Sequence, residues 1–137
     1  MIDNRTGPYA VLLLRVSMGI MFLAHDALKV FVFTLAGTVR YFGTLGLPPW
    51  IAYSVMVLEL VLGIALILGV WARLAALVGI PHLLGTILFV HGAKGWAFSA
   101  PGGGWEFPAF WAVALLAVAL LGDGAHALVR TPLVSQR

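Results

Sequence analysis

The stretch LLLRVSMGIMFLAHDALK, residues 12–29, decides how this chain folds. It is apolar enough to form a membrane-spanning helix, although it also contains four ionisable residues. At ~3.6 residues per turn, one stripe of this helix carries Arg15, Met18, Phe22, His25 and Lys29. Each charge near the centre of a bilayer costs about 3 kcal/mol, so a lipid-facing stripe cannot hold these side chains. We therefore expect the stripe to face the interior of a helical bundle.

The composition of the whole chain agrees with a membrane protein. Of its 137 residues, 62% are hydrophobic and 9% are charged, and the mean hydropathy is +1.05. Soluble domains carry about 25% charged residues, so the composition predicts an integral membrane protein. Because Arg15 interrupts the first apolar region, we interpret that region as a retained helix and not as a cleaved signal peptide.

The charges and the absence of cysteine exclude several classes of function. The net charge of +3 reflects a scarcity of acidic residues, and the basic residues are scattered along the chain without a run. Nucleic-acid binding is therefore not expected. The chain contains no cysteine. This excludes a thiol–disulfide relay within the chain and any cysteine-ligated cluster, and we predict no metal site.

Four apolar segments predict an all-α, integral-membrane four-helix bundle that forms a single domain. The expected spans are residues 9–33, 50–70, 74–92 and 108–128. Two longer connections, 35–49 and 93–107, separate the first from the second span and the third from the fourth. Gly37, Gly43 and Gly46 should prevent a stable helix in the first connection. We expect it to lie in the membrane interface or to fold back over the mouth of the bundle.

The distribution of basic residues predicts the orientation of the bundle. Arg5, Arg73, Arg130 and Arg137 fall on one side of the predicted membrane, whereas Arg40 and Lys94 fall on the other. Positive residues favour the cytoplasmic side. We therefore predict that both termini are cytoplasmic, that the two longer connections face outward, and that the protein is a multi-pass protein of a bacterial-type inner (plasma) membrane.

Five ionisable residues should lie at similar depth in the outer half of the bundle. At ~1.5 Å per residue, that group comprises His25, Lys29, Glu59, His91 and Glu106. Glu59 is the expected counter-charge for Lys29 or His25, and we expect Arg15 to brace Glu59 from below. Aromatic residues stand close to this level, namely Trp96, Trp105, Phe107 and Trp111. The sequence thus predicts a polar pocket with an aromatic rim.

A structural interpretation competes with a functional one for these residues. Buried charges in membrane bundles often pair only to hold helices in register. His82 should satisfy the backbone carbonyl that Pro81 frees within its helix. Asp26 should point to the rim of the bundle, and Asp123 with His126 should form the interfacial end of the last helix.

Three functions remain open from the residues alone. The first is a site for a quinone-like headgroup, which needs proton-exchanging side chains beside an apolar slot. The second, less favoured, is a haem held by His25 and His91. The third is a non-enzymatic membrane anchor whose external connections dock a soluble enzyme.

Six short motifs in order resemble the DoxX/DoxD-like family of small four-span membrane proteins. They are Arg15 with FLAHxxxK ending at Lys29, FGTLGLP at 42–48, ExxxG from Glu59 to Gly63, GxxxRxAA at 69–76, HxxxGW from His91 to Trp96, and GGWEFP at 103–108. The resemblance covers about residues 12–124. Two features depart from the family pattern: Asp26 stands where the family usually has glycine, and the segment after Gly124 lacks the usual ending.

The resemblance implies a four-helix bundle that serves membrane oxidoreductase systems acting on thiols, sulfur compounds or oxidative stress. Together with the depth match, it predicts a quinone as ligand and a partner oxidoreductase. We predict four catalytic residues: His91 or His25 hydrogen-bonds a quinone oxygen, and Glu59 or Glu106 relays the proton. The predicted ligand-binding residues are Arg15, Lys29, Trp96 and Trp105. Gly63 and Gly85 permit close helix packing, either within the bundle or in a homo-oligomer in the lipid bilayer.

Overall fold

The computed structural model describes residues 3–132, and this part of the chain is helical, without any strand. This confirms the all-α prediction. The α-helices are α1 (Gly7–Ala27), α2 (Leu35–Thr44), α3 (Pro49–Leu68), α4 (Ala72–Thr86) and α5 (Glu106–Leu121). Proline occupies the first turn of α1 and of α3, where its missing N–H has no helical partner to lose.

Two of the helices continue beyond their α-helical part as wider turns. A π-helical segment, Leu28–Val32, extends α1, and a second one, Ile87–His91, extends α4 before a short 3-10 turn. Within residues 3–132, three continuous helices are long and apolar enough to cross a bilayer: Gly7–Val32, Pro49–Leu68 and Ala72–Lys94. The fourth apolar helix, α5, has 16 residues and is shorter than these spans.

The bundle consists of two closely packed pairs, α1 with α3 and α4 with α5, and further contacts join α1 to α5 and α3 to α4. Small residues allow the α1–α3 pair to approach closely. A Cβ atom built on Gly19 would lie 2.7 Å from the carbonyl oxygen of Gly63. Phe22, Leu66 and Leu115 are fully buried where the helices meet. These residues belong to a closely packed apolar core between the helices.

The stripe predicted to face inward does so along most of its length. Arg15, Met18 and Phe22 are buried, and Lys29 is partly buried, whereas His25 is exposed. Asp26 does not point to the rim of the bundle as expected. It is buried, because it lies on the side of α1 that meets α3.

The first connection differs from the prediction, because residues 35–44 form helix α2 despite their glycines. Thr34 caps α2, and its hydroxyl accepts a hydrogen bond from the backbone N–H of Gly37 at 3.2 Å. Thr38 and Phe42, four residues apart, are the buried residues of α2. One apolar face and one cap therefore outweigh the glycines, and α2 folds back on α3 and on the first π-helical segment.

The last helix is also shorter than predicted, since α5 ends at Leu121 and does not reach residue 128. Gly122 has a positive φ of 104°, which breaks the helix. Residues 122–132, which we call the crossing segment, turn across the α3–α4 link. There the N–H of Trp71 donates to the carbonyl of Val129 at 2.8 Å. Asp123 and His126 thus belong to this crossing segment and not to the end of a helix.

The crossing segment contacts the start of α1, so both lie at the same end of the bundle. The N–H of Ala125 donates to the carbonyl of Pro8, and Asp123 contacts the start of α4 at Arg73. Arg5 precedes α1 at this same end, which we call the inner end, and Arg130 follows the crossing segment. Arg137 lies outside the described residues.

Candidate functional site

Glu59 of α3 joins side chains from two other helices in the outer half of the bundle. Lys29 Nζ donates to Glu59 Oε2 at 2.6 Å, and His82 Nε2 lies 2.9 Å from Oε1. A carboxylate only accepts, so Nε2 of His82 carries the hydrogen. Glu59 is 5% exposed. The result is a cluster of three side chains, Lys29, Glu59 and His82, that connects α1, α3 and α4.

The first π-helical segment positions Lys29 for this contact. A π turn widens the helix and changes its hydrogen-bond register, and such turns are frequent at functional sites. The Thr38 hydroxyl of α2 donates to the backbone carbonyl of Lys29 at 2.9 Å. Helix α2 therefore stabilises the widened turn from outside, while the Lys29 side chain reaches inward to Glu59.

An aromatic cluster lies beside the three-residue cluster. The Trp111 ring of α5 lies 4.6 Å from the Phe22 ring and 5.3 Å from the His25 ring, measured between centroids. Phe22 in turn lies 6.0 Å from His82. Trp111 is 4% exposed, and its Nε1 has no hydrogen-bond partner among residues 3–132. Trp111 thus places a buried, unused donor beside His25.

The remaining predicted residues belong to the second connection. His91 Nδ1 donates to the carbonyl of Gly103 at 2.8 Å, and Glu106 Oε1 accepts the N–H of Phe98 at 2.6 Å. Both contacts fasten the loop between α4 and α5 to helix ends. Neither His91 nor Glu106 contacts Glu59, so the structure divides the five residues of similar depth between the bundle and the loop.

The loop forms an aromatic cavity of about 590 Å³ on the side of α5. Its walls are Trp96, Phe98, Trp105, Glu106, Phe107, Ala109, Phe110 and Val113. Trp96 and Trp105 meet edge to face with ring centroids 4.5 Å apart. Phe110 is 70% exposed on the outer surface of the bundle. This aromatic cavity therefore opens sideways, toward the surface that lipid would cover.

Phe107 connects the aromatic cavity to the interior of the bundle. Its ring lies 5.8 Å from Phe98 in the cavity wall and 6.0 Å from Trp111. From Trp111 the rings continue to His25 and Phe22. The cavity and the Lys29–Glu59–His82 cluster are thus joined by one continuous series of aromatic contacts.

Arg15 does not brace Glu59, contrary to the prediction. Its guanidinium donates to the carbonyls of Leu66 and Ile67 at 2.7 and 2.8 Å and to that of Ala125 at 2.9 Å. The last carbonyls of a helix lack intrahelical partners, and α3 ends at Leu68. Arg15 therefore satisfies the end of α3 and fixes the crossing segment, deep at the inner end and away from the candidate ligand site.

His82 is the residue to which sequence reasoning assigns the wrong role. The expected partner is a backbone carbonyl next to Pro81, yet the ring nitrogen bonds Glu59. Depth along the helix, which pairs Lys29 with Glu59, also places His82 near this level, because His82 lies nine residues before His91 at the end of the second π-helical segment. Within residues 3–132 no group of three or more His, Asp or Glu side chains has the spacing of a metal site.

These features define a helical membrane-type bundle with a buried charge cluster and a lateral aromatic cavity. The DoxX family model matches residues 10–92. The chain belongs to the DoxX family, and this match confirms the resemblance inferred from its motifs.

A named relative is known in Bacillus subtilis (strain 168), the protein "Putative oxidoreductase CatD". It is 33% identical over 87 residues. The match covers 64% of this chain and 63% of the relative, so the chain spans under two thirds of that protein's length. No solved structure matches the chain.

Proposed function

We propose that this protein is the membrane subunit of an oxidoreductase system and that a quinone-like ligand binds in the aromatic cavity. The observation that supports this proposal most directly is the cavity itself, which is lined by Trp96, Trp105 and Phe107 and opens toward lipid. Trp111 connects the cavity to the Lys29–Glu59–His82 cluster. Membership of the DoxX family and the name of the Bacillus relative support an oxidoreductase system.

The cavity suits a flat, apolar ring with polar edges. Tryptophan and phenylalanine rings supply stacking surfaces, and Glu106 supplies a carboxylate at the wall. The lateral opening at Phe110 leaves room for an apolar tail to remain in the bilayer. A quinone, when bound, supplies chemistry that moves two electrons and two protons. The chain has no cysteine to carry electrons, so a partner oxidoreductase exchanges them.

The residues of the chain itself then serve to bind the ring and to handle protons. Trp105 and Phe107 orient the ring within the cavity, and Glu106 at its edge accepts or returns a proton. His25, exposed and in contact with Trp111, links the cavity to the buried cluster. In this proposal Glu59 and Lys29 supply the charges of the buried cluster. The bundle crosses the membrane four times, with both termini in the cytoplasm.

Mass spectrometry of an organic extract of the gently purified protein tests the proposal. We expect about one quinone per chain, and Phe107→Ala should weaken binding of an added short-tailed quinone about tenfold, a loss of ~1.4 kcal/mol. Phe31→Ala removes an exposed phenylalanine that lies outside the cavity wall and should bind normally. Unchanged binding in Phe107→Ala, or haem in the extract in place of quinone, would contradict the proposal.

A partner-docking subunit without a ligand is the alternative, and one observation favours it. Arg40 and Tyr41 of α2 are exposed at the outer end, next to the buried Thr38 that holds Lys29. If the protein only docks a soluble enzyme, Arg40→Ala abolishes co-purification of that enzyme. Phe107→Ala would then leave both complex assembly and activity unchanged.

A further inference from the structure

Asp26 is a buried acidic side chain that the proposed ligand site does not use. It lies seven residues after Gly19, on the stripe of α1 that meets α3. It is 8% exposed, and its Oδ1 is enclosed without a hydrogen-bond partner in the described part of the chain. An ionised carboxylate removed from water without a partner is among the costliest groups in a protein interior.

The charged groups around Asp26 are already engaged with one another. Lys29, three residues further along α1, gives its Nζ to Glu59 at 2.6 Å. Glu59, facing from α3, receives Lys29 and also His82 of α4. From α2, Thr38 bonds the backbone of Lys29 and brings no charge. The field acting on Asp26 therefore comes from an occupied cation, Lys29, and from a like-charged carboxylate, Glu59.

We propose that Asp26 carries a proton at neutral pH and forms a membrane-embedded proton-binding site coupled to the Lys29–Glu59 pair. As a neutral carboxylic acid, Asp26 escapes the cost of an unpaired buried charge. The Lys29–Glu59 ion pair carries no net charge, and the Nε2 hydrogen of His82 points to Glu59. The cluster then holds one exchangeable proton.

The coupling follows from competition for Lys29. When Glu59 takes up a proton it becomes neutral, and Lys29 loses its counter-charge. Asp26 then releases its proton and becomes the carboxylate that faces Lys29. One proton is bound at Glu59, one leaves Asp26, and the net charge of the cluster is unchanged. The cluster thus takes up a proton at Glu59 on α3 and releases one from Asp26 on α1 without creating an uncompensated charge in the membrane.

Infrared spectroscopy of the full chain in lipid nanodiscs tests this proposal without a ligand. The chain has three aspartates, Asp3, Asp26 and Asp123, so carboxyl-¹³C labelling of aspartate reports on few groups. Asp3 is exposed, and Asp123 accepts hydrogen bonds from Arg73 and Thr131. We expect one protonated-carboxyl band at neutral pH that shifts on labelling, disappears in Asp26→Asn and persists in Asp123→Asn.

A second variant tests the coupling between the two acids. Glu59→Gln removes the like charge and leaves Lys29 without a partner, so the aspartate band should vanish at a pH lower by about one unit or more, a tenfold change in proton affinity. Glu106→Gln is the matched control, since Glu106 is the other glutamate of the chain and contacts the loop. It should leave the titration of the band unchanged.

Three results would overturn the inference. The first is a wild-type spectrum without a labelled protonated-carboxyl band at neutral pH. The second is a band that persists in Asp26→Asn. The third is a Glu59→Gln spectrum in which the band does not vanish at a lower pH than in the wild type. The first result requires no variant to fold. Because the measurement needs no quinone, failure here leaves the proposed function standing, and failure of quinone binding leaves Asp26 to be judged by its own spectrum.

Discussion

Glu59 shows how one side chain can fix three helices at membrane depth. Its two oxygens accept from Lys29 on α1 and from His82 on α4, and Glu59 itself is buried. Inside a protein an ion pair contributes little net stability over an apolar replacement, because both charges lose hydration. Loss of a single partner is different, since it leaves the other charge buried and uncompensated. The pair therefore favours the arrangement of helices in which both charges are paired, more than it adds to the free energy of unfolding.

The first prediction follows from this asymmetry. Lys29→Met alone should destabilise the bundle by about 3–5 kcal/mol, because Glu59 keeps a buried charge without its cation. Glu59→Leu alone should cost a similar amount. The double variant should cost clearly less than either single change, because it removes both charges together. Equilibrium unfolding in one detergent measures all four proteins, and additive losses would show that the two charges do not interact.

The contacts of Glu59 and Arg15 show which partners of single residues could and could not be predicted from the sequence. The Lys29–Glu59 contact was predictable, because depth and opposite charge left few other partners. The same rule assigns Arg15 to Glu59, whereas Arg15 in fact bonds backbone carbonyls of α3. Counting charged side chains overlooks helix ends, whose terminal carbonyls lack intrahelical partners and also accept hydrogen bonds from a guanidinium.

Close approach organises the bundle at the scale of its elements. α1 and α3 meet at Gly19 and Gly63, where a Cβ atom on Gly19 would lie 2.7 Å from a backbone oxygen and 2.7 Å from Ile67. Backbone cannot move aside as a flexible side chain can. The separation of these two helices is therefore set by the missing Cβ atoms, and it places Lys29 within reach of Glu59 at the outer end.

The second prediction compares two glycine-to-alanine changes. Gly19→Ala should destabilise the protein by about 1–3 kcal/mol, because the new methyl forces α1 away from α3. Gly85→Ala on α4 meets nothing within 4 Å and should stabilise by about 0.5–1 kcal/mol through helix propensity. Thermal unfolding of both variants under identical conditions is the measurement. Equal shifts for the two variants would mean that the α1–α3 approach is not tight.

Asp123 fastens the crossing segment to α4 and gives the inner end a dependence on pH. Burial raises the pKa of this carboxyl, but hydrogen bonds from Thr131 and from the N–H of Arg73 outweigh burial and hold the pKa below its ordinary value. A group with a lowered folded-state pKa contributes stability above its unfolded pKa. That contribution is lost as the pH falls through the lower folded value.

The third prediction concerns the loss of stability of the crossing segment in acid. Acidification below the ordinary pKa range of aspartate, through the lower folded-state pKa of Asp123, should loosen residues 122–132. Asp123→Asn should remove this acid step while loosening the segment at every pH. Limited proteolysis between Gly122 and Arg130 across a pH series measures the effect. Asp3→Asn, at the exposed N-terminal turn, is the control and should leave the profile unchanged. A profile that is the same in Asp123→Asn and the wild type would contradict the assignment.

Element boundaries show where local rules fail. Gly37 and Gly43 argue against a helix at 35–44, yet the cap at Thr34 and the buried pair Thr38 and Phe42 suffice to form α2. The apolar pattern places Gly122 inside a span, but this glycine ends the helix. In both cases a tertiary contact decides the outcome, the packing of α2 on α3 in one and the capture of Asp123 by α4 in the other.

The whole molecule has two chemically different ends. The inner end holds Arg15 and Asp123, each hydrogen-bonded to backbone groups of neighbouring segments. The outer end holds the Lys29–Glu59–His82 cluster and the aromatic cavity. Matched depths predict a single polar pocket, but depth along a helix says nothing about direction around it. His91 and Glu106 share the level of Glu59 and turn instead to the loop between α4 and α5.

The fourth prediction concerns how these ends lie in the membrane, and the absence of cysteine makes it testable. Single cysteines are placed at the exposed positions Thr6 and Pro132 of the inner end and Ser99 of the outer loop. With four spans and cytoplasmic termini, an impermeant maleimide should label Ser99→Cys in intact cells. It should reach Thr6→Cys and Pro132→Cys only after permeabilisation.

Pro132 is the informative position, because α5 has 16 residues and covers about 24 Å at 1.5 Å per residue, less than a hydrocarbon core of about 30 Å. The crossing segment nevertheless bonds the start of α1 through Ala125 and Pro8, so the fold places Pro132 at the same end as Thr6. The bilayer then thins around α5, or its flanking loop enters the interface. Labelling of Pro132→Cys together with Ser99→Cys would show instead that α5 does not cross. Labelling of Thr6→Cys and Pro132→Cys alone would show that the bundle has the opposite orientation, with the aromatic cavity on the cytoplasmic side.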